Sequence, residues 1–384
     1  AMTSAQQNTA VGAYAADAIT SGTANVALGY NALTASVEGD FNTAIGYKAL
    51  EDHNEGNGNG HNTAVGSKAM LNLTTGEFNT SLGSLSMGAG VTTGDKNVAI
   101  GYTAGSSMTT GANNTIIGTE AGDALTTGSH NVAIGHAALS AEDTGGRSVA
   151  IGRAALGAQN NDGDNYNVAV GYNAGLSVLT GVQNTIVGSF AGDALTIGNQ
   201  NTALGFGALS TSVDGDNNTA VGFLALEDYE DGDGDGSNTA IGSESQRNAT
   251  TGEFNTSLGS LSMGTGVTTG NENVALGYKA GMSLTSGGSN VMIGSHAGDA
   301  MTTSGFNVGI GYGTLSTEDS HGKNVAIGYQ SLATQNAGAE AFNTAVGFQS
   351  GVLITTGVNN VIMGGKAGDA LTTGSFNVAI GYNA

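Results

Sequence analysis

The chain has 384 residues, 66 of them Gly, with no Pro, Cys or Trp and a formal charge of −22 from 31 acidic against 9 basic side chains. Thiol chemistry and thiolate metal sites are excluded, and a charge of that sign repels phosphate backbones and anionic lipid, so neither nucleic acid nor membrane insertion is expected. No stretch approaches the roughly 18 to 20 apolar residues of a spanning helix, and a glycine share more than twice the ordinary ~7% points to a repeat.

Residues 1–24 form a lead-in and a first coil, in which the motif Asn8-Thr9-Ala10-Val11-Gly12 appears. The pattern Asn-[Thr/Val]-Ala-[Ile/Val/Leu]-Gly then starts at 25, 42, 62, 79, 97, 114, 131, 148, 167 and 184, and in a second series at 201, 218, 238, 255, 273, 290, 307, 324, 343 and 360. Its last start is Asn377. The first place is Asn everywhere except Ser148, and the fifth is always Gly. Most steps are 17 residues, and the longer steps from 42, 79 and 148 return in the same order 176 residues later, from 218, 255 and 324. Residues 25–200 and 201–376 are therefore two copies of one ten-coil block, and 377–384 is an incomplete final coil.

Five residues with β-branched side chains at alternate places, followed by Gly, Asn and Ser, predict a short strand and a corner. Gly at every fifth place excludes a helical apolar period. The fold class is all-β: a parallel β-solenoid, or β-roll, of about 22 coils of ~17 residues, which stacked at ~4.8 Å make a rod on the order of 100 Å long. Gly at place five predicts a bend or a positive φ, and Gly, Asn and Ser are the residues expected at the corners.

Place four is Val, Ile, Leu or Met in every coil, so stacking lines up an apolar stripe that must be buried against something. Place three is mostly Ala, but it is Ile116, Ile186, Met292 and Ile362 in four coils, where place nine is Gly122, Gly192, Gly298 and Gly368. The coils before them also carry Gly at place nine, at Gly105, Gly175, Gly281 and Gly351, whereas elsewhere that place is mostly Leu or Met, as at Leu33, Leu139 and Leu315. Large at three with small at nine is volume compensation inside one close-packed interior. Strand alternation then turns places two, four and six outward, so that Ile100, Ile134, Ile327 and Tyr102 belong to a face sealed by other copies of the chain. The opposite orientation, with places two and four inside a monomeric solenoid, is the alternative. The Asn column, including Asn97, Asn131, Asn201 and Asn324, is expected to form a hydrogen-bonded ladder from coil to coil.

Asn97-Val98-Ala99-Ile100-Gly101, Asn131 to Gly135, Asn324 to Gly328 and Asn377 to Gly381 resemble the head repeats of trimeric autotransporter adhesins of the YadA type, and similar repeats in phage tail fibres. The resemblance spans nearly the whole chain. It implies a left-handed β-roll that trimerises through its apolar strand face, is displayed outside the cell and binds host or matrix surfaces.

No catalytic constellation emerges. The six histidines, His53, His61, His130, His136, His296 and His321, recur at no place common to them all and are read as surface residues. Asp17, Asp123, Asp193, Asp299 and Asp369 share one corner place in like settings, whereas an acid–base pair needs unlike ones. The insertion Glu227 to Gly236 puts Asp231, Asp233 and Asp235 at alternate positions like the start of a calcium loop, but without a closing glutamate. Calcium is the one candidate ion. The expected role is a non-catalytic extracellular or cell-surface protein, adhesive or fibre-forming. Its longer coils, from 42, 148, 218 and 324, would meet cell-surface, glycan or matrix ligands. A self-assembling filament subunit is the alternative, and an ice-binding solenoid, suggested by pairs such as Thr74-Thr75, Thr109-Thr110 and Thr126-Thr127, a second.

Overall fold

The computed structural model describes residues 4–53, 59–230 and 236–384. The chain divides into two compact units, Ala1–Phe190 and Ala191–Ala384. Each is a parallel β-solenoid of eleven coils. The first runs from β1 (Thr9–Val11) through β6 (Val98–Ile100) and β7 (Thr115–Ile117) to β11 (Thr185–Val187), and the second from β12 (Thr202–Leu204) to β22 (Val378–Ile380). No helix occurs among the described residues.

Every strand is three residues long, occupying places two to four, and within each unit it pairs in parallel with the same places of the coil that follows. Between β6 and β7, Val98 lies opposite Thr115, Ala99 opposite Ile116 and Ile100 opposite Ile117. The glycine at place five ends each strand. Its φ lies between +128° (Gly364) and +146° (Gly171), as expected from the sequence, and the reason is close stacking. A Cβ on Gly101 would sit 2.4 Å from the carbonyl oxygen of Gly118, the same place one coil on. A column of glycines thus lets backbones meet where no side chain fits.

The corners differ from expectation. Left-handed backbone falls at places seven, nine and the last, and much of it is carried by large side chains: in the coil from Asn25, Asn31, Leu33 and Phe41 have φ of 52°, 54° and 57°. That conformation costs about 1 kcal/mol or more for a residue with a Cβ. It is offset because each bend aims an amide at a neighbouring coil: Leu33 N donates to Ala49 O and Phe41 N to Thr23 O, both at 3.0 Å. Intercoil bonding, with the inward aim of the side chain at place nine, overrides local preference.

Places three, eight, nine and twelve fill the interior. Ala133, Ala138 and Leu139 are fully buried, as are Ala99, Ala104 and Met108. Places two and four are less buried than place three in every coil after the first, for example Val98 and Ile100 around Ala99. The alternative with places two and four inside is therefore overturned, because the interior is already filled by places three, eight, nine and twelve and has no room for two β-branched columns. The compensation between places three and nine is also direct. Ile116 Cδ1 would lie 3.0 Å from a Cβ on Gly105 of the preceding coil and 3.4 Å from one on Gly122 of its own. In the second unit Ile362 Cδ1 lies 3.1 Å from a Cβ position on Gly368. Where place nine is glycine, the buried side chain at place twelve, such as Met108, Leu125, Leu284 or Ile354, supplies the missing volume.

Candidate functional surface

The outward side of each coil is built by parity about the buried asparagine. The last place of one coil and places two, four and six of the next all face out, so one stretch of chain presents four side chains in a row. Around Asn42 these are Phe41, Thr43, Ile45 and Tyr47. Ile100, Ile134 and Ile327 are half-buried, flanked by the same place of neighbouring coils, while Tyr102 is 53% exposed. Leu28 and Leu82 remain 45% and 48% exposed on the same column.

Two aromatic rows border the strands. At place six, Tyr30 stacks on Tyr47 with ring centroids 5.7 Å apart. In the second unit Tyr312, Tyr329 and Phe348 stack in succession at 5.4 and 5.1 Å. At the last place, Phe41, His61 and Phe78 stack almost parallel at 4.8 and 5.0 Å. Coil spacing sets these distances: identical places one coil apart are near enough for offset stacking. The result is an outward face with an aliphatic column at place four, Thr or Val at place two, and edges where stacked aromatic stretches alternate with polar side chains such as Lys96, Arg153 and Glu272.

Behind it runs the asparagine column. Asn97 N donates to Asn79 Oδ1 at 2.9 Å and Asn97 Nδ2 to Gly111 O at 2.9 Å. Asn131 N donates to Asn114 Oδ1, and Asn131 Nδ2 to Gly145 O. Asn201 Oδ1 accepts from Asn218 N, and Asn324 N donates to Asn307 Oδ1. Each side chain thus accepts from the next coil's backbone, and in most coils its amide also donates to a corner carbonyl fourteen or fifteen residues on. At Ser148, where the column is broken, Gln159 from place twelve donates to Ser148 Oγ at 3.0 Å and accepts from Asn167 Nδ2 at 2.9 Å.

Place twelve is also where the sequence reasoning missed buried polar groups. His53, read from sequence as a surface residue, is fully buried because it occupies this place, where the chain turns inward. Glu142 is fully buried too: its Oε1 accepts from Gly145 N at 2.6 Å, and its Oε2 from Gln159 Nε2 and Asn165 Nδ2, both at 3.0 Å. Burial raises its pKa against the pull of those donors. Glu318, its duplicate, accepts at Oε1 from His321 N at 3.0 Å, but its buried Oε2 has no partner, and burial lifts its pKa to about 7. Ligand atoms of Glu318, Asp319 and His321 all lie within 4.8 Å of one another. The signal was available, since a glutamate recurs at a place otherwise filled mostly by small, apolar or amide side chains.

The other sequence candidates stay apart. Asp231, Asp233 and Asp235 lie outside the described residues. Before them, Glu227 Oε2 pairs with Arg247 Nε at 2.6 Å and Tyr229 is fully buried at place twelve. Among the five like aspartates, Asp123 and Asp193 have pKa values raised by burial and bond local backbone, and Asp299 Oδ2 lies 2.8 Å from His296 Nδ1. In the threonine pairs the first hydroxyl is turned to the neighbouring coil: Thr109 Oγ1 donates to Thr126 O at 3.2 Å and Thr126 Oγ1 to Asp143 O at 2.9 Å. Such hydroxyls are engaged by protein and do not offer their protons to an ordered water layer. Among the described residues no helix is long and apolar enough to cross a membrane. No protein-family model matches the chain, and no curated protein matches it in sequence.

Proposed function

We propose that this chain is a non-catalytic extracellular or cell-surface protein, adhesive or fibre-forming, whose outward strand face is sealed by two further copies of itself. The observation that carries the reading is the outward face itself: an aliphatic column at place four beside Thr or Val at place two, bordered by stretches of stacked aromatic rings, with side chains such as Leu28, Tyr102 and Phe348 about half exposed. Contiguous apolar area on that scale marks an interface. The resemblance to YadA-type head repeats favours three copies. The longer coils then stand on the remaining sides, available to cell-surface, glycan or matrix ligands, and the net negative charge argues against nucleic acid and anionic membranes as partners.

Light scattering after size exclusion tests this on the full chain, with calcium and then with chelator. A discrete mass of three chains is expected. Leu28→Asp and Tyr102→Asp, which add charge to the outward face without touching the interior, should lower the mass to one chain with the circular dichroism spectrum unchanged. A single-chain mass for the unaltered protein would sink the proposal, and open-ended polymers would favour a filament subunit.

A further inference from the structure

We propose that Glu318, Asp319 and His321 bind a divalent transition cation of the zinc class. The duplicated block provides an internal comparison. In the first copy, Glu142-Asp143-Thr144-Gly145 stands where the second has Glu318-Asp319-Ser320-His321, and Asn165 stands where the second has Ala341. Glu142 is satisfied there by one backbone and two side-chain donors. In the second copy alanine removes one donor, and the Gln335 amide nitrogen, counterpart of that of Gln159, lies buried with no partner. One oxygen of a fully buried carboxylate is left with no hydrogen bond at the same turn where an imidazole has been gained. A buried carboxylate oxygen without a donor is costly, and a cation resolves it.

The donor set suits that cation. Zinc is held by imidazole nitrogen and carboxylate oxygen at about 2.0–2.2 Å, which places tetrahedral ligands about 3.4 Å apart. The three groups start within 4.8 Å. Asp319 and His321 are half-buried, so closing the gap requires small side-chain rotations at the surface while Glu318 stays fixed. Ser320 Oγ couples the two movable ligands, bonding Asp319 Oδ1 at 2.8 Å and lying 3.0 Å from His321 Nδ1. His321 also lines a surface cavity of about 370 Å³ with Lys323 and Glu340, which gives the ion a path from solvent. Imidazole in the set selects zinc-class ions over calcium or magnesium.

The full chain, stripped with chelator, would be titrated with zinc by calorimetry in excess calcium, and with cobalt for its visible spectrum. His321→Gly installs the residue that the first copy carries at this turn, so it should keep the fold. It is expected to abolish one equivalent of bound zinc, or weaken it at least about tenfold, and to remove the zinc-induced rise in Tm. Glu318→Gln should do the same, with far-UV circular dichroism as the check on folding; if it unfolds, His321→Gly decides. Absence of zinc binding by the unaltered chain, or equal stoichiometry and affinity after His321→Gly, would overturn the assignment.

Discussion

Replacing Gly101 by alanine tests whether the glycine column sets the coil spacing. The residue has φ +139°, a region where a Cβ is strained, at roughly 1–3 kcal/mol. The new methyl would lie 2.4 Å from Gly118 O, 2.6 Å from Gly118 C and 3.1 Å from Thr119 N, all backbone. That backbone cannot retreat easily, because Gly118 N donates to Ile100 O at 2.7 Å. Overpacking adds roughly 1–3 kcal/mol, so the total is about 4 kcal/mol. Two glycines separate the contributions. Gly338 has φ +65° with nothing within 4 Å of its Cβ position, so Gly338→Ala should cost about 1 kcal/mol from strain alone. Gly163 has neither a positive φ nor a neighbour within 4 Å, and Gly163→Ala should be neutral or slightly stabilising. Urea unfolding followed by circular dichroism, with hydrogen exchange at the flanking amides, reads the three in order. Equal effects of Gly101→Ala and Gly338→Ala would refute the argument that backbone contact between coils, and not φ alone, demands glycine.

Volume compensation predicts coupling. Ile362→Ala should cost about 2–5 kcal/mol, and Gly368→Ala should be less destabilising in that background than alone, by about 1 kcal/mol, since the three atoms nearest its Cβ position all belong to Ile362. Strict additivity in the double-mutant cycle would remove the pairing of places three and nine. Asn131→Ala leaves Ser148 N and Gly145 O without their partners and should cost about 2–3 kcal/mol, with protection from exchange lost first at the Ser148 amide; an unchanged Ser148 exchange rate would contradict the ladder. For pH, burial raises the pKa values of Asp52, Asp123, Glu142, Asp193 and Asp228 in the folded state. The folded chain then holds more protons than the unfolded one, so stability is full below the ordinary carboxylate range and is lost as pH rises through the raised values. Self-repulsion of the −22 charge acts in the same direction. Tm should be higher at pH 5 than at pH 8, and the reverse order would show that these carboxylates are held mainly by donors.

The sequence alone determined the coil: its boundaries, its parallel stacking, the duplication and the glycine column; it favoured place three inward by volume compensation, and the burial of that place decided the direction of the strand side chains. Those follow because a repeat brings like places into contact, so Ile116 with Gly105 and Gly122 could be matched in volume before any coordinate was known. The structure was needed where contacts depend on how the corners bend. Left-handed backbone at Leu33 and Phe41 is invisible to local preference, because amide bonds to the neighbouring coils decide it. The same bends turn place twelve inward, and with it His53, Glu142 and Glu318, which composition would leave in solvent. Only the folded corner shows that Glu142 is fully partnered while its duplicate keeps one oxygen free beside an imidazole, since hydrogen-bond satisfaction belongs to three-dimensional neighbours and not to the repeat that carries them.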